Sequence, residues 1–247
     1  RGDLLREVVF TPGLRPALPP ETVARFVAKR QRLAEGYAPG APRELLEWVK
    51  ERLLIPAPEW RQLMDAIARD HGLSEDAARQ GLETKLTVLT PPGAADPLIV
   101  ATEQAPRLRA LWEGDEEEIT AVLDEWLRFY GPVSPAWVAG TLGLPEDTLA
   151  PALEDLLDTQ KLIQGSLLRD GAEDDVCDSE NFEMLLRMAR TDAAPSFTPL
   201  PGAKLPLFLA MHQGLCAPGW EIDDLRERLA SLSGYPAAEM VGNNQRV

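Results

Sequence analysis

The chain contains Glu47-Trp48, then Pro58-Glu59-Trp60, then Gly72-Leu73-Ser74-Glu75-Asp76, and this pattern decides the fold because it occurs twice. The second copy reads Glu125-Trp126, then Pro135-Ala136-Trp137, then Gly143-Leu144-Pro145-Glu146-Asp147. Each copy ends in a short apolar run that follows a lysine, at Lys85 and at Lys161. Three short helices followed by a β-hairpin are the order of a winged helix, so the repeat predicts two such modules in tandem.

Local signals place the elements of each module. In the first, apolar residues keep a helical period from Leu45 to Leu54, Ser74 is the expected N-cap of the third helix, and the hairpin strands are 86–89 and 98–101. In the second, Asp115 and Ser134 are the expected N-caps, and the hairpin strands are 162–168 and 176–177. The hairpin of each module is the predicted wing.

We therefore predict a mainly α chain with small antiparallel β-hairpins, in which tandem winged-helix modules precede a helical C-terminal segment. The predicted parts are an extended entry segment with a basic helix at 1–40, a first winged-helix-like module at 41–112, a second at 113–178, and a truncated helical segment at 179–247. In the last part we expect helices over 205–215 and, from the spacing of its apolar residues, over 222–232.

Composition limits the class of protein. No window of the 247 residues approaches the ~18 uninterrupted apolar residues that a membrane helix needs. The two cysteines, Cys177 and Cys216, lack metal-binding spacing, which favours a reducing, cytoplasmic location without a membrane partner. The phosphate-binding and hydrolase signatures GxxxxGK[ST], GxGxxG, HExxH and GxSxG do not occur. Because the chain begins at Arg1, we expect it to be part of a longer protein.

Charge is distributed unevenly along the chain. Residues 1–70 have a balance of +2, whereas residues 71–247 have a balance of −17. An acidic surface repels phosphates, so nucleic acid must bind through local basic surfaces. The first candidate is a stripe on the helix predicted from Pro20 to about Leu33. It comprises Arg25, Lys29, Arg30 and Arg32. Four phosphate contacts correspond to a salt slope of about −3.6, although the stripe is also consistent with a solvated helix face.

The third helix of a winged helix commonly enters the major groove of DNA. In the first module this region offers three candidate nucleic-acid contacts, Arg79, Gln80 and Lys85. In the second module the same region offers mainly carboxylates, which are Glu146, Asp147, Glu154, Asp155 and Asp158. We therefore expect the second module to serve packing or protein contact instead of DNA reading.

The tryptophans and the acidic runs admit other uses. Aromatic rings can stack on single-stranded bases, but Trp48, Trp60, Trp126 and Trp137 hold matching places in the two copies, which favours core packing. The acidic run 115–118 lies at a helix N-terminus and lacks the alternating ligands of a metal loop. We assign no catalytic residue and no metal ligand.

Several phrases in the chain resemble the region after the motor domains of large helicase-related (Lhr-type) superfamily 2 proteins. The likeness covers most of residues 8–235. The phrases are the stretches 10–16, 47–56, 130–134 and 177–181, together with an apolar run at 207–213 in which His212 replaces the family's tryptophan.

This resemblance implies an ATP-dependent 3′-to-5′ translocase on DNA or RNA:DNA hybrids, with a role in DNA repair and with two RecA-like motor domains. Because no ATPase signature occurs here, we expect ATP and Mg²⁺ only in the parent helicase and no cofactor in this region. Some family members are linked to glycosylase-like base removal, but no residue here matches that activity. The expected function is a noncatalytic accessory region that guides nucleic acid and contacts the RecA-like domains. The alternative is an acidic winged-helix scaffold for protein interaction or self-association.

Overall fold

Side-chain caps fix where four helices begin. In the computed structural model, which describes residues 9–11, 15–169, 171–194 and 201–212, Ser74 accepts a hydrogen bond from the Ala77 amide at 3.3 Å. Asp115 accepts from Glu118 at 3.1 Å, Ser134 from Trp137 at 3.2 Å and Asp178 from Asn181 at 2.8 Å. Each bond satisfies a backbone donor that the first helical turn leaves without a partner. The caps predicted at Ser74, Asp115 and Ser134 are confirmed.

The described chain is mainly helical, with small antiparallel strand pairs, as predicted. The helices are α1 Pro20–Arg30, α2 Pro42–Arg52, α3 Ala57–His71, α4 Glu75–Arg79, α5 Ala105–Glu113, α6 Glu116–Leu127, α7 Pro135–Leu142, α8 Glu146–Asp158, α9 Ser179–Ala193 and α10 Leu205–His212. The strands are β1 Leu54–Pro56, β2 Leu86–Leu89, β3 Leu98–Ala101, β4 Leu162–Gln164 and β5 Val176–Asp178.

The first module contains a strand that the sequence pattern hides. β1 pairs with β3, which also pairs with β2, so the sheet has the order β1-β3-β2 and is antiparallel throughout. The prediction that Leu53 and Leu54 continue the preceding helix is wrong. Leu53 takes a left-handed φ of 61°, which ends α2, and all three residues of β1 are buried. Helix, strand, two helices and hairpin in this order are compatible with a winged helix.

The hairpin of the second module is shorter than predicted. β4 ends at Gln164 instead of Leu168. The next residue, Gly165, has a φ of 150°, and its amide donates to the Asp175 carbonyl at 3.0 Å. β4 pairs with β5 from Leu162 opposite Asp178 to Gln164 opposite Val176. Val133 extends this pairing through a bridge to Val176, with amide-to-carbonyl distances of 2.8 and 3.0 Å.

The loop of the first hairpin packs against the second module. The Ala95 amide donates to the Gly140 carbonyl at 2.7 Å. A Cβ atom on Gly143 would lie 2.6 Å from the Ala94 nitrogen, so glycine permits the close approach. Nearby, Trp112 Nε1 donates to the Leu142 carbonyl at 2.7 Å. The first predicted wing is therefore fastened to the neighbouring module.

The entry segment and α1 close a second core. Leu18 forms a bridge to Leu168, and its side chain is 1% exposed. Phe26 of α1 packs in a buried cluster with Phe182 and Leu185 of α9. A Cβ atom on Gly131 would lie 2.6 Å from the Val23 side chain, so the absence of a side chain there lets α1 approach the second module. A larger core cluster runs through both modules.

The described chain divides into two compact units, Arg1–Ala194 and Pro195–Val247. In the second unit, a single 3-10 turn at Gly202–Lys204 leads into α10. The helix predicted over 222–232 lies outside the described residues, and the four-part division of the chain stays a prediction. No helix in the described ranges is long and apolar enough to cross a membrane.

Asp70 should make the stability of the first module depend on pH. Its carboxylate accepts from Arg69 at 2.7 Å and from the Gly36 and Ala38 amides at 2.8 and 3.3 Å. These bonds, chiefly that from Arg69, lower the pKa of Asp70 to about 2. The ordinary unfolded pKa is ~3.9, so the stabilisation is present above that pH and is lost as the pH falls through about 2.

We expect Asp70→Asn to be less stable than the wild type at pH 5 and to show a smaller fall in Tm between pH 5 and pH 2. Calorimetric Tm values across this range check the expectation. Asp65→Asn, an exposed change on the same helix, is the control and should keep the pH dependence of the wild type. Parallel Tm profiles for Asp70→Asn and the wild type would contradict the account.

Candidate nucleic-acid interface

The basic stripe predicted on the first helix is divided by the backbone. α1 ends at Arg30 instead of near Leu33, and Arg32 lies beyond the helix with a left-handed φ of 58°. The prediction that Arg32 continues the helical stripe is therefore wrong. Arg25, Lys29 and Arg30 remain on α1 and are exposed.

Each cation of the stripe has a partner within the protein. Arg25 forms an ion pair with Asp192, and Lys29 lies 5.2 Å from the centre of the Tyr37 ring. Arg30 donates to the Arg128 carbonyl at 2.8 Å. These are surface contacts, and exposed ion pairs contribute about 0–1 kcal/mol. A phosphate can therefore replace Asp192 as the partner of Arg25 at little cost.

Arg32 is held more firmly than the rest of the stripe. Its guanidinium lies 4.2 Å from the centre of the Trp48 ring and 3.3 Å from a Glu51 carboxylate oxygen. Cation–π contact over tryptophan adds to the ion pair. Arg32 thus joins the segment after α1 to α2, and it is the least available of the four predicted contacts.

The predicted contacts of the third helix also separate. Arg79 pairs with Glu75 at 3.2 Å on the short helix α4. Gln80 and Lys85 instead line a surface groove of about 730 Å³ beside α2. We call it the first-module groove, and its basic and amide side chains are Arg43, Lys50, Gln80 and Lys85.

Two of these cations are available to a ligand. Lys50 is paired with Glu103 at 3.0 Å, and the hydrogen bond that Lys50 donates to Glu103 is the main cause of the raised pKa of Lys50. Among the described residues Arg43 and Lys85 form no ion pair, and both are exposed. Thr84 and Thr102 add hydroxyl groups to the groove wall. Arginine, lysine, threonine and glutamine are the side chains that commonly bind phosphate oxygens.

The second module presents mainly carboxylates, whereas the first-module groove combines three cations with two carboxylates, Glu47 and Glu103. The acidic residues of α8, which include Glu146, Asp147 and Asp155, are exposed. Two of the nearby cations, Arg128 and Lys161, are already paired with Asp124, at 3.2 and 2.8 Å. Such a surface repels the phosphate backbone, so the charge argues against base reading by α8.

A buried polar cluster joins the two modules, and the sequence did not indicate it. Arg52, whose side chain is 2% exposed, forms an ion pair with Glu59. The Tyr130 hydroxyl lies 2.9 Å from both Glu59 oxygens and 2.9 Å from Arg52. Charged residues are rarely fully buried unless they are paired, and the pairing of Arg52 with Glu59 meets that condition. The cluster is therefore part of the architecture.

The tryptophans divide between core and surface. Trp48, Trp60 and Trp126 are buried, as predicted. The prediction for Trp137 is wrong, because its side chain is 37% exposed. It stacks on Trp126 with ring centres 5.5 Å apart and planes 3° from parallel. One face of Trp137 thus completes the core while the residue remains accessible to solvent.

Two buried carboxyl groups lie at the end of the second hairpin. Burial raises the pKa of Asp175 and of Asp178. Asp178 caps α9, whereas Asp175 Oδ2 has no hydrogen-bond partner among the described residues. Asp175 and Asp178 are 5% and 8% exposed, so neither carboxyl group is accessible to a bound DNA strand in this structure. Within the described ranges, no group of histidine, cysteine and carboxylate side chains has the arrangement of a metal site.

A protein-family model described as DNA glycosylase AlkZ-like matches residues 6–201. No curated protein matches the chain. The family match contradicts the expected Lhr-type helicase region, and with it the noncatalytic accessory role, the ATP-dependent translocase and the alternative scaffold function. It gives no support to RecA-like partner domains or to self-association.

The structure explains why these sequence motifs wrongly suggested a helicase. In the stretch 47–56, Trp48, Val49 and Leu54 are core residues. In the stretch 177–181, Asp178 caps α9 and Asn181 donates to the Arg128 and Tyr130 carbonyls at 2.8 and 2.9 Å. In the stretch 10–16, Arg15 donates to the Gln164 carbonyl at 2.6 Å. The residues of these motifs form the core and the contacts between the modules. Packing of this kind does not indicate whether an ATPase motor domain is attached.

Proposed function

Because the chain belongs to the AlkZ-like DNA glycosylase family, we propose that it binds DNA and removes damaged bases. The reaction is hydrolysis of the bond between a base and C1′ of its sugar. Water forms the new bond to C1′ and loses a proton, and the base leaves with the electrons of the broken bond. A neutral base takes up a proton as it leaves, whereas a base that already carries a positive charge leaves without one. The family match, which covers most of the chain, is the observation that carries this proposal.

The distribution of charge supports a local DNA contact. The chain has a net charge of −15, so its overall field opposes DNA. The first-module groove brings Arg43 and Lys85 together with Gln80 and two threonines on one surface. Phosphate contacts fix a protein on DNA, and base chemistry then requires the target nucleotide to leave the stack. We assign the first-module groove to the phosphate contacts of the bound strand.

The binding role of this groove predicts a specific loss. Arg43→Glu/Lys85→Glu should weaken the binding of a duplex oligonucleotide by about tenfold or more at low salt, because two phosphate contacts are lost. The slope of log K against log salt should become shallower by about 1.8, which is the contribution of two contacts to duplex DNA. Fluorescence anisotropy titrations at several salt concentrations measure both quantities.

The control for this variant is Arg61→Glu/Arg109→Glu, which makes the same change in net charge at two exposed arginines outside the groove. It should lower the affinity less and leave the salt slope close to that of the wild type. Equal losses in the two variants would show that overall charge, and not the first-module groove, determines binding.

The reaction itself is tested by measuring free bases. The protein is incubated with duplex DNA that has been alkylated, deaminated or oxidised, and released bases are measured by mass spectrometry against protein-free samples. We expect at least one modified base to be released in proportion to protein concentration, with an equal number of abasic sites. DNA that binds but releases no base above the protein-free control would refute glycosylase activity.

A further inference from the structure

A second groove, of about 810 Å³, lies between the entry segment, α1 and α9. We call it the arginine groove because three arginines from distant parts of the chain line it. Arg25 comes from α1, Arg169 follows the second hairpin's first strand, and Arg190 comes from α9. Much of the rest of its lining is apolar. Pro16, Ala17 and Ala193 are its exposed apolar residues, whereas Leu18 and Leu186 belong to the buried cluster.

The fold brings these arginines together through the second core. The Leu18 amide donates to the Leu167 carbonyl at 2.8 Å, and the Arg169 amide donates to the Leu18 carbonyl at 3.2 Å. This pairing fixes the turn that carries Arg169 against the entry segment. Phe26 of α1 packs with Leu186 of α9 in the same buried cluster, which aligns Arg25 and Arg190 on the groove. The arrangement thus rests on the packed core of the unit.

The charges of the groove favour an anion. Asp192 accepts from Thr22 at 3.0 Å and forms an ion pair with Arg25. Among the described residues Arg169 and Arg190 form no ion pair, and both are exposed. The remaining carboxylate of the lining is Glu21. Two exposed arginines that form no ion pair with any described residue therefore mark a local site where an anion gains charge-assisted hydrogen bonds.

We propose that the arginine groove binds unpaired nucleotides of a DNA strand. Arg169 and Arg190 hold phosphates, and the exposed apolar residues Pro16, Ala17 and Ala193 receive the face of a base. A paired duplex keeps its base faces stacked inside, so an apolar wall between arginines fits a strand whose bases are unpaired. This inference rests on the proposed function, because a strand with a displaced base is the form of DNA on which a glycosylase acts.

Within the arginine groove, the Asp192 carboxylate competes with a bound phosphate for Arg25. The Arg25 and Asp192 side chains are 59% and 40% exposed, and an exposed pair is easily exchanged. When a phosphate arrives, Arg25 can turn from Asp192 to the ligand. The carboxylate then opposes the bound strand, so its removal should strengthen binding.

The test compares the wild type with Arg169→Glu/Arg190→Glu, with Asp192→Asn and with the control Arg61→Glu/Arg109→Glu. The probes are a labelled 12-nucleotide single strand and a fully paired duplex of the same sequence. We expect the Arg169/Arg190 variant to bind the single strand at least about tenfold more weakly than the control, with a salt slope shallower by about 1.4. Its loss on the duplex should be smaller. Asp192→Asn should bind the single strand several-fold more tightly.

Three results would overturn the inference. The first is an equal loss for the Arg169/Arg190 variant and its control, and the second is an equal loss on single strand and duplex. The third is an unchanged affinity of the Arg169/Arg190 variant for the single strand. Far-ultraviolet circular dichroism checks that each variant is folded, and Arg169→Lys/Arg190→Lys should retain part of the affinity if the loss reflects charge.

The inference and the proposed function fail in different ways. If base release persists in the Arg169/Arg190 variant at wild-type DNA affinity, the arginine groove has been assigned wrongly while the glycosylase function stands. If the wild type releases no base but binds the single strand through these arginines, the glycosylase function fails and the binding site stands.

Discussion

Replacing Glu59 by leucine should lower the free energy of unfolding by about 3–5 kcal/mol, because the buried charge of Arg52 loses its counterion. Arg52 is 2% exposed and its charge has one carboxylate partner, Glu59, among the described residues. The Tyr130 hydroxyl, 2.9 Å from Arg52, would remain but cannot neutralise the charge. Since Arg52 and Glu59 belong to the first module and Tyr130 follows α6 of the second, the change should weaken the joint between modules.

Chemical denaturation of the wild type and three variants measures this effect. Tyr130→Phe keeps both charges and should cost about 1–3 kcal/mol, through loss of the hydroxyl hydrogen bonds. Arg52→Met/Glu59→Leu removes both charges together and should recover most of the loss, since an apolar pair of similar volume is often as stable as a buried ion pair. Glu51→Leu removes an exposed carboxylate from the pair with Arg32 and should cost less than about 1 kcal/mol. A Glu59→Leu protein as stable as Glu51→Leu would contradict the role assigned to the cluster.

Trp126→Ala should also destabilise the protein by about 3–5 kcal/mol. Trp126 is 0% exposed, stacks on Trp137 and meets the Tyr130 ring edge-on with ring centres 4.7 Å apart. Its removal leaves a cavity under both rings, and the rigid helices α6 and α7 cannot close it.

Two milder changes separate packing from polarity at this position. Trp137→Ala removes the partly exposed ring of the stack and should cost about 1 kcal/mol, the typical value of an aromatic pair. Trp126 Nε1 is buried without a hydrogen-bond partner in the described structure, so Trp126→Phe loses volume but also removes an unsatisfied donor. Its cost should lie between those of the two alanine variants. Urea denaturation gives all three values, and a Trp126→Ala loss no larger than that of Trp137→Ala would refute the packing account.

The elements that sequence patterns predicted well are those determined by neighbouring residues. Ser74, Asp115 and Ser134 cap helices because a short polar side chain satisfies an amide three residues later. The strands 86–89 and 98–101 were also bounded correctly, since prolines and a glycine separate two apolar runs. β1 was missed because Leu53 and Leu54 continue the apolar period of the preceding helix, whereas in the structure the left-handed φ of Leu53 ends that helix and a strand begins at Leu54.

The candidate sites were less predictable because they depend on residues far apart in the chain. Gln80 and Lys85 could be named from their place after the third helix, but Arg43 joins them only through packing of α2 beside that region. The sequence did not indicate a binding role for Arg169 or Arg190, since a single arginine in a loop or on a helix is common. They meet Arg25 only after Leu18 pairs with Leu168 and α1 packs on α9. The prediction from the Lhr-type resemblance was wrong for a related reason. The matching motifs consist of residues that pack the fold, and they include no residue with a chemical role.

The most direct test of the account is the release of a free base from duplex DNA that carries N7-methylguanine. The positive charge on this base weakens its bond to the sugar, so it requires the least assistance to leave. The account predicts that the wild-type protein releases this base faster than the protein-free control, and that Arg43→Glu/Lys85→Glu reduces the rate at subsaturating protein. A rate equal to the protein-free control, at concentrations where the DNA is bound, would contradict it.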